Sequence, residues 1–117
     1  MTVNECLNMA DTLRPNSFSV QVKLGVLNFL ESDLKETLFD LYDDAVSITP
    51  YKEETLDTEL NLGNSMLYIS FLLSQYDSML ADYEKYSASA AIFNMYMGDY
   101  RRNYCRTRKP KPCNMSL

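Results

Sequence analysis

SMLYISFLLSQYDSMLADYEKYSASAAIFNMYMGDYRRNYCR, residues 65–106, contains no proline and a single glycine, Gly98. Its apolar and aromatic side chains recur at alternating steps of three and four: Ile69, Leu72, Tyr76, Met79, Tyr83, Tyr86, Ala90, Phe93, Met97, Tyr100 and Tyr104. That rhythm is the seam of a long helix packed on a partner along its length. At 1.5 Å per residue a straight helix of this length reaches roughly 60 Å, about twice the diameter of a small domain. The rest of the chain is too small to cover it, so part of the seam is expected to meet another molecule. Five of the eleven seam positions are tyrosine and one is leucine. A tyrosine hydroxyl needs a polar partner or water, which suits an interface with wet edges. The phase runs through Tyr86-Ser87-Ala88-Ser89 unbroken. The pattern therefore predicts one continuous or gently bent helix, with two helices meeting near Ser87 as the alternative.

Outward from that stretch, the charge is segregated. All sixteen acids lie at or before Asp99; with five bases, residues 1–100 carry a net charge of −11. Residues 101–117 hold Arg101, Arg102, Arg106, Arg108, Lys109 and Lys111 and no acid, a net charge of +6. The chain reads as an acidic body with a basic arm. Pro110 and Pro112 bar further helix, so residues 107–117 are expected to be an extended arm beyond a helical domain of residues 1–106.

Upstream, Thr2 and Glu5 form a capping-box pair opening a short helix that ends before Arg14-Pro15. Ser19 is the expected N-cap of a second amphipathic helix running to about Ala45, with Val22, Val26, Phe29, Leu30, Leu34, Leu38, Leu41 and Tyr42 as its apolar stripe. Glu31, Asp33, Glu36, Asp40, Asp43 and Asp44 are assigned to its other faces, either as solvated charge or as a surface that repels DNA or attracts a basic partner. Residues 47–64 form a long connection, in which Leu60 and Leu62 alternate with polar residues as in a short strand. Its leucines are expected either to dock on another subunit or to belong to a floppy acidic loop. The candidate interface residues are thus Tyr51, Leu56, Leu60 and Leu62 on the loop, with the six basic residues of the arm.

The chemistry is defined as much by what is missing. There is no histidine, which removes the commonest general base and metal ligand. Cys6, Cys105 and Cys113 are odd in number and lack a CxxC spacing, fitting a reducing compartment better than a disulfide scaffold or zinc site. No glycine-rich phosphate loop is present. The start lacks the charged, then apolar, pattern of a secretory signal, and no apolar run approaches a membrane span. No catalytic, cofactor or metal residues are assigned, and the chain is not read as an enzyme.

Leu13-Arg14-Pro15-Asn16-Ser17-Phe18-Ser19 forms a turn followed by the leucine spacing of Leu27, Leu30 and Leu34; Thr49-Pro50-Tyr51 and Asp57-Thr58-Glu59-Leu60 follow in the loop, and Leu67-Tyr68-Ile69, Asp77, Glu84, Tyr86, Phe93-Asn94 and Tyr104-Cys105-Arg106-Thr107 in the long helical stretch. In order, these stretches resemble the LKPNSYS turn, the TPY and DTEL loop and the long helix of a family of head–tail connector (adaptor) proteins of phages and prophages of Gram-positive bacteria. The sequence departs at Leu62-Gly63-Asn64-Ser65-Met66, where the family is often proline-rich, and at Asn103, where a tryptophan is common. The resemblance implies an all-α virion protein, made in the host cytoplasm. It implies a ring of about twelve subunits under the portal, extending the DNA channel toward the neck or tail completion protein. DNA would only pass through the channel, with no membrane involved. A small acidic helical regulator, possible as a mimic of DNA charge, is the alternative reading, with a nucleic-acid-binding module using the basic arm behind it.

Overall fold

The computed structural model describes residues 1–42 and 47–108. Four helices, α1 (Val3–Leu13), α2 (Val20–Thr37), α3 (Ser65–Met79) and α4 (Tyr83–Thr107), cover more than half of the chain, an all-α fold. Single 3-10 turns lie at Phe39–Leu41 and Glu53–Thr55.

The caps follow the local sequence. Thr2 Oγ1 accepts from the Glu5 N–H at 3.1 Å while a Glu5 carboxylate oxygen accepts from the Thr2 N–H at 3.1 Å, a full capping box. Ser19 Oγ accepts from the Val22 N–H and starts α2. That helix stops at Thr37, well short of Ala45, which lies outside the described residues. The reason is tertiary: Phe39 turns wholly into the core and stacks 5.1 Å from Tyr104, a position the continuing helix could not give it. The buried face of α2 also differs from the expected stripe. Leu24, Leu27, Leu30, Leu34 and Leu38 face inward, whereas Val22, Phe29 and Leu41 are exposed.

The central element is α3. Six consecutive residues, Leu67 to Leu72, are buried, so it is covered on nearly all sides, as expected of a helix apolar around its circumference. The expectation of one continuous helix over residues 65–106 is corrected: α3 and α4 form a hairpin, and they part at Leu80-Ala81-Asp82 rather than near Ser87. The turn is a Schellman closure, with the Asp82 N–H donating to the Asp77 carbonyl at 3.0 Å and the Ala81 N–H to the Ser78 carbonyl at 3.1 Å. Ala81 takes the left-handed position, φ 57°, which glycine normally fills. Asp82 then serves as N-cap of α4, its side chain accepting from the Lys85 N–H.

Since Ala81 sits where a Cβ is unfavourable, Ala81→Gly is expected to stabilise the hairpin by about 0.5–1 kcal/mol, after the larger entropy of glycine in the unfolded chain is offset. Urea unfolding checks this; a loss of stability would mean that residue 81 is not left-handed in solution.

Candidate assembly surfaces

The connection over residues 47–64 packs on the chain's own core, which corrects the reading of a floppy acidic loop. Tyr51 and Leu62 are buried in the chain's own core, and Leu56 and Leu60 are half-buried against it. The strand expected around Leu60 is reduced to one bridge, Thr2 with Glu59, flanked by N–H donation from Val3 to the Thr58 carbonyl at 2.9 Å and from Leu60 to the Met1 carbonyl at 3.2 Å. The loop thus wraps the start of α1.

A buried carboxylate holds the loop down. Glu31, assigned from sequence to a solvated face, is only 1% exposed. Both the Tyr51 and the Tyr68 hydroxyl donate to its Oε2, and Asn61 Nδ2 donates to Oε1 at 2.7 Å. Each hydroxyl also accepts a loop N–H, Tyr51 from Asn61 at 2.9 Å and Tyr68 from Leu62 at 3.0 Å. Asn28 completes the clamp, its side-chain amide exchanging hydrogen bonds with the Tyr51 main chain at 2.8 and 3.1 Å. Each polar atom of this clamp has a partner, which is what makes the burial of Glu31 tolerable.

A second buried carboxylate ties the hairpin to α1. Asp77, 1% exposed, accepts from Arg14 Nε at 2.7 Å and Nη2 at 3.3 Å and from Ser89 Oγ at 2.8 Å. Arg14 follows the end of α1, Asp77 lies on α3 and Ser89 on α4, so one carboxylate joins three elements.

Burial also governs titration. It raises the Tyr51, Tyr68 and Tyr76 hydroxyls well above the usual phenol range, and lifts Tyr100 and the Cys6 thiol up to about 12 each. These groups must stay neutral in the folded chain. Their contribution to stability is complete below their unfolded pKa values, about 10 for tyrosine and 8.5 for cysteine, and is lost above them, toward the raised folded values. In alkaline titration followed by tyrosinate absorbance, Tyr51, Tyr68 and Tyr76 should ionise only together with loss of helical circular dichroism. Full ionisation of every tyrosine with helicity intact would contradict that burial.

The basic residues of the arm do not share one fate. Arg101 donates to Thr37 Oγ1 at 2.9 Å and lies 3.9 Å from Asp33, fastening α4 to the end of α2. Arg102 pairs with Asp99 on its own helix. The Arg108 guanidinium sits 4.0 Å above the Tyr104 ring. Arg106 is exposed; Arg101, Arg102 and Arg106 share a surface hollow with Cys105. Lys109, Lys111 and the expected extended arm lie outside the described residues.

Sequence reasoning missed the exposed apolar surface elsewhere. On one side of α3 a groove of about 330 Å³ is lined by Leu13, Met66, Leu73, Ala88, Ile92 and Tyr96. On another, a hollow of about 260 Å³ lies beside Val22, Phe29, Phe71 and Gln75, where Phe29 is 66% exposed and its ring lies parallel to that of Phe71. At 3.6 residues per turn, Leu73 points roughly 200° away from Phe71 around α3. The two apolar surfaces therefore flank the central helix on opposite sides. Both hollows are concave and lined mainly by apolar side chains.

Among the described residues no helix is long and apolar enough to cross a membrane, and no group of three or more cysteines and acids could hold a metal ion. No protein-family model, curated protein or solved structure matches the chain.

Proposed function

We propose that the chain is a structural head–tail connector subunit of a phage or prophage particle. Copies form a closed ring of about twelve under the portal, extend the DNA channel, and receive the neck or tail completion protein. The observation that carries this reading, beside the sequence resemblance, is the pair of apolar surfaces on opposite sides of α3. A ring needs heterologous contacts, in which one face of a subunit meets a different face of the next, and two unlike patches supply them. The charge layout supports it as well. Asp33, Glu36 and Asp40 at the end of α2 and Glu53, Glu54, Asp57 and Glu59 on the loop are exposed, giving an acidic surface along which duplex DNA slides without sticking. Repulsion of that kind reaches about 8 Å at physiological salt.

The basic end of the chain is the portal contact. Arg101 and Arg102 already have acidic or hydroxyl neighbours within the subunit, which leaves Arg106 and the lysine-rich residues 109–117 for an acidic surface of the portal. Removing residues 109–117 is expected to leave the melting temperature and helicity unchanged while sharply weakening binding to the cognate portal, measured by co-sedimentation. Normal portal attachment with reduced affinity for duplex DNA would instead make this segment a nucleic-acid contact.

A further inference from the structure

The hairpin between α3 and α4 is closed by three residues whose sequence does not demand a turn. Leu80 and Ala81 are strong helix formers, and neither glycine nor proline occurs between Ser65 and Met97. The heptad phase crosses the turn unbroken, from Tyr76 and Met79 to Tyr83 and Tyr86. Ala81 is held in the left-handed region, a conformation it would leave if the chain straightened into one helix. Against straightening within one chain stand the Schellman hydrogen bonds, the Asp82 cap and the packing of α4 on α3, and only the last of these can be remade on a second copy.

The helix beyond that turn is also the most exposed of the four. Of the described residues of α4, only Ser89 and Tyr104 are buried. It is held through one face, with Ser89 on Asp77 at 2.8 Å, the Phe93 ring 4.8 Å from Phe71, and Tyr96, Met97 and Tyr100 partly buried against the core. Around the closed turn Met79, Leu80 and Tyr83 are left 43%, 49% and 72% exposed. A second copy offers the same α3 face with the same Asp77 and Phe71, so every contact of that face can be remade between chains.

We infer that α4 exchanges between copies of this chain: the turn at Leu80, Ala81 and Asp82 straightens, and α4 of one copy packs on α3 of another. The straightened helix relieves Ala81 and gives Met79, Leu80 and Tyr83 a neighbouring chain to pack on. Short turns under backbone strain favour such exchange, since the open form keeps the closed form's contacts and loses only the turn. The inference depends on the hairpin alone and stands apart from the connector reading.

Two single-site chains test it, one with Leu73→Cys and one with Ile92→Cys, positions that line the same groove between α3 and α4. Both carry Cys105→Ser and Cys113→Ser; Cys6 stays, because it is fully buried. The two are unfolded together, refolded at high concentration and mildly oxidised, and circular dichroism verifies helicity. Exchange yields a disulfide joining the two different chains, at least fivefold above a control pairing Leu73→Cys with the exposed Asn94→Cys. Adding Ala81→Gly to both chains should lower that yield severalfold, because glycine relaxes the closed turn and disfavours the straight helix. Light scattering of the unaltered chain refolded under the same conditions should show masses at multiples of 13.5 kDa. A cross-linking yield at the control level, a yield indifferent to Ala81→Gly, or an unaltered chain that stays monomeric would overturn the inference.

Discussion

Glu31→Leu is expected to destabilise the fold by about 3–4 kcal/mol, although it replaces a buried acid with an apolar residue of similar size. The mutation leaves behind two tyrosine hydroxyls and the Asn61 amide that donate to that carboxylate. A buried polar group left without its partner costs about 1–3 kcal/mol. Asn61 keeps the Thr49 carbonyl at 3.0 Å, so the two hydroxyls account for most of the loss. Adding Tyr51→Phe and Tyr68→Phe should not restore stability, because the main-chain N–H groups of Asn61 and Leu62 then lose their acceptors. For a chain of this size the single mutation should lower the melting temperature by more than 10 °C. Proteolysis should move to residues 47–64, which the clamp holds down. A change under 1 kcal/mol in urea unfolding would mean that the clamp does not form.

Arg14→Ala is the other large effect, expected at about 3 kcal/mol, and it should exceed that of Asp77→Ala. The two mutations break the same pair but leave different remnants. Asp77 is 1% exposed, so without Arg14 a carboxylate stays buried with only the Ser89 hydroxyl to solvate it. The Arg14 side chain is 27% exposed, so without Asp77 its guanidinium can turn to water at modest cost. Ser89 in turn keeps the Lys85 and Tyr86 carbonyls as acceptors. The double mutant should be no less stable than Arg14→Ala alone. An Asp77→Ala variant less stable than Arg14→Ala would show that the pair is not buried as described.

The helical class was readable because caps and periodicity agree: Thr2 with Glu5 and Ser19 open α1 and α2 where expected, and the apolar runs are helical even where, as in α2, a different face is buried. A break into two helices was the alternative reading, but its place was not readable, since the turn uses Leu80, Ala81 and Asp82 without the glycine that usually marks a left-handed residue. Packing of α4 back on α3 favours that turn, and packing leaves no local signature. The end of α2 was missed for the same reason, Phe39 being drawn into the core against a helical pattern that continues past it. Glu31 did carry a signal. It lies at the steps of four and three that join Leu27, Glu31, Leu34 and Leu38, so an acid occupies a core position of the helix. Its partners Tyr51, Asn61 and Tyr68 are 20 to 37 residues away, and no period links them. The arm's basic composition was plain from the sequence, yet the pairing of Arg101 with Thr37 and Asp33 depends on the hairpin's course.

The central proposal, a ring seated on a portal, is tested most directly by electron microscopy of the purified chain mixed with its cognate portal. The account predicts closed rings of this chain stacked coaxially on the portal, with an open channel continuous through both. Portal particles carrying no added density, with the chain remaining dispersed at concentrations well above those that saturate a micromolar contact, would contradict it.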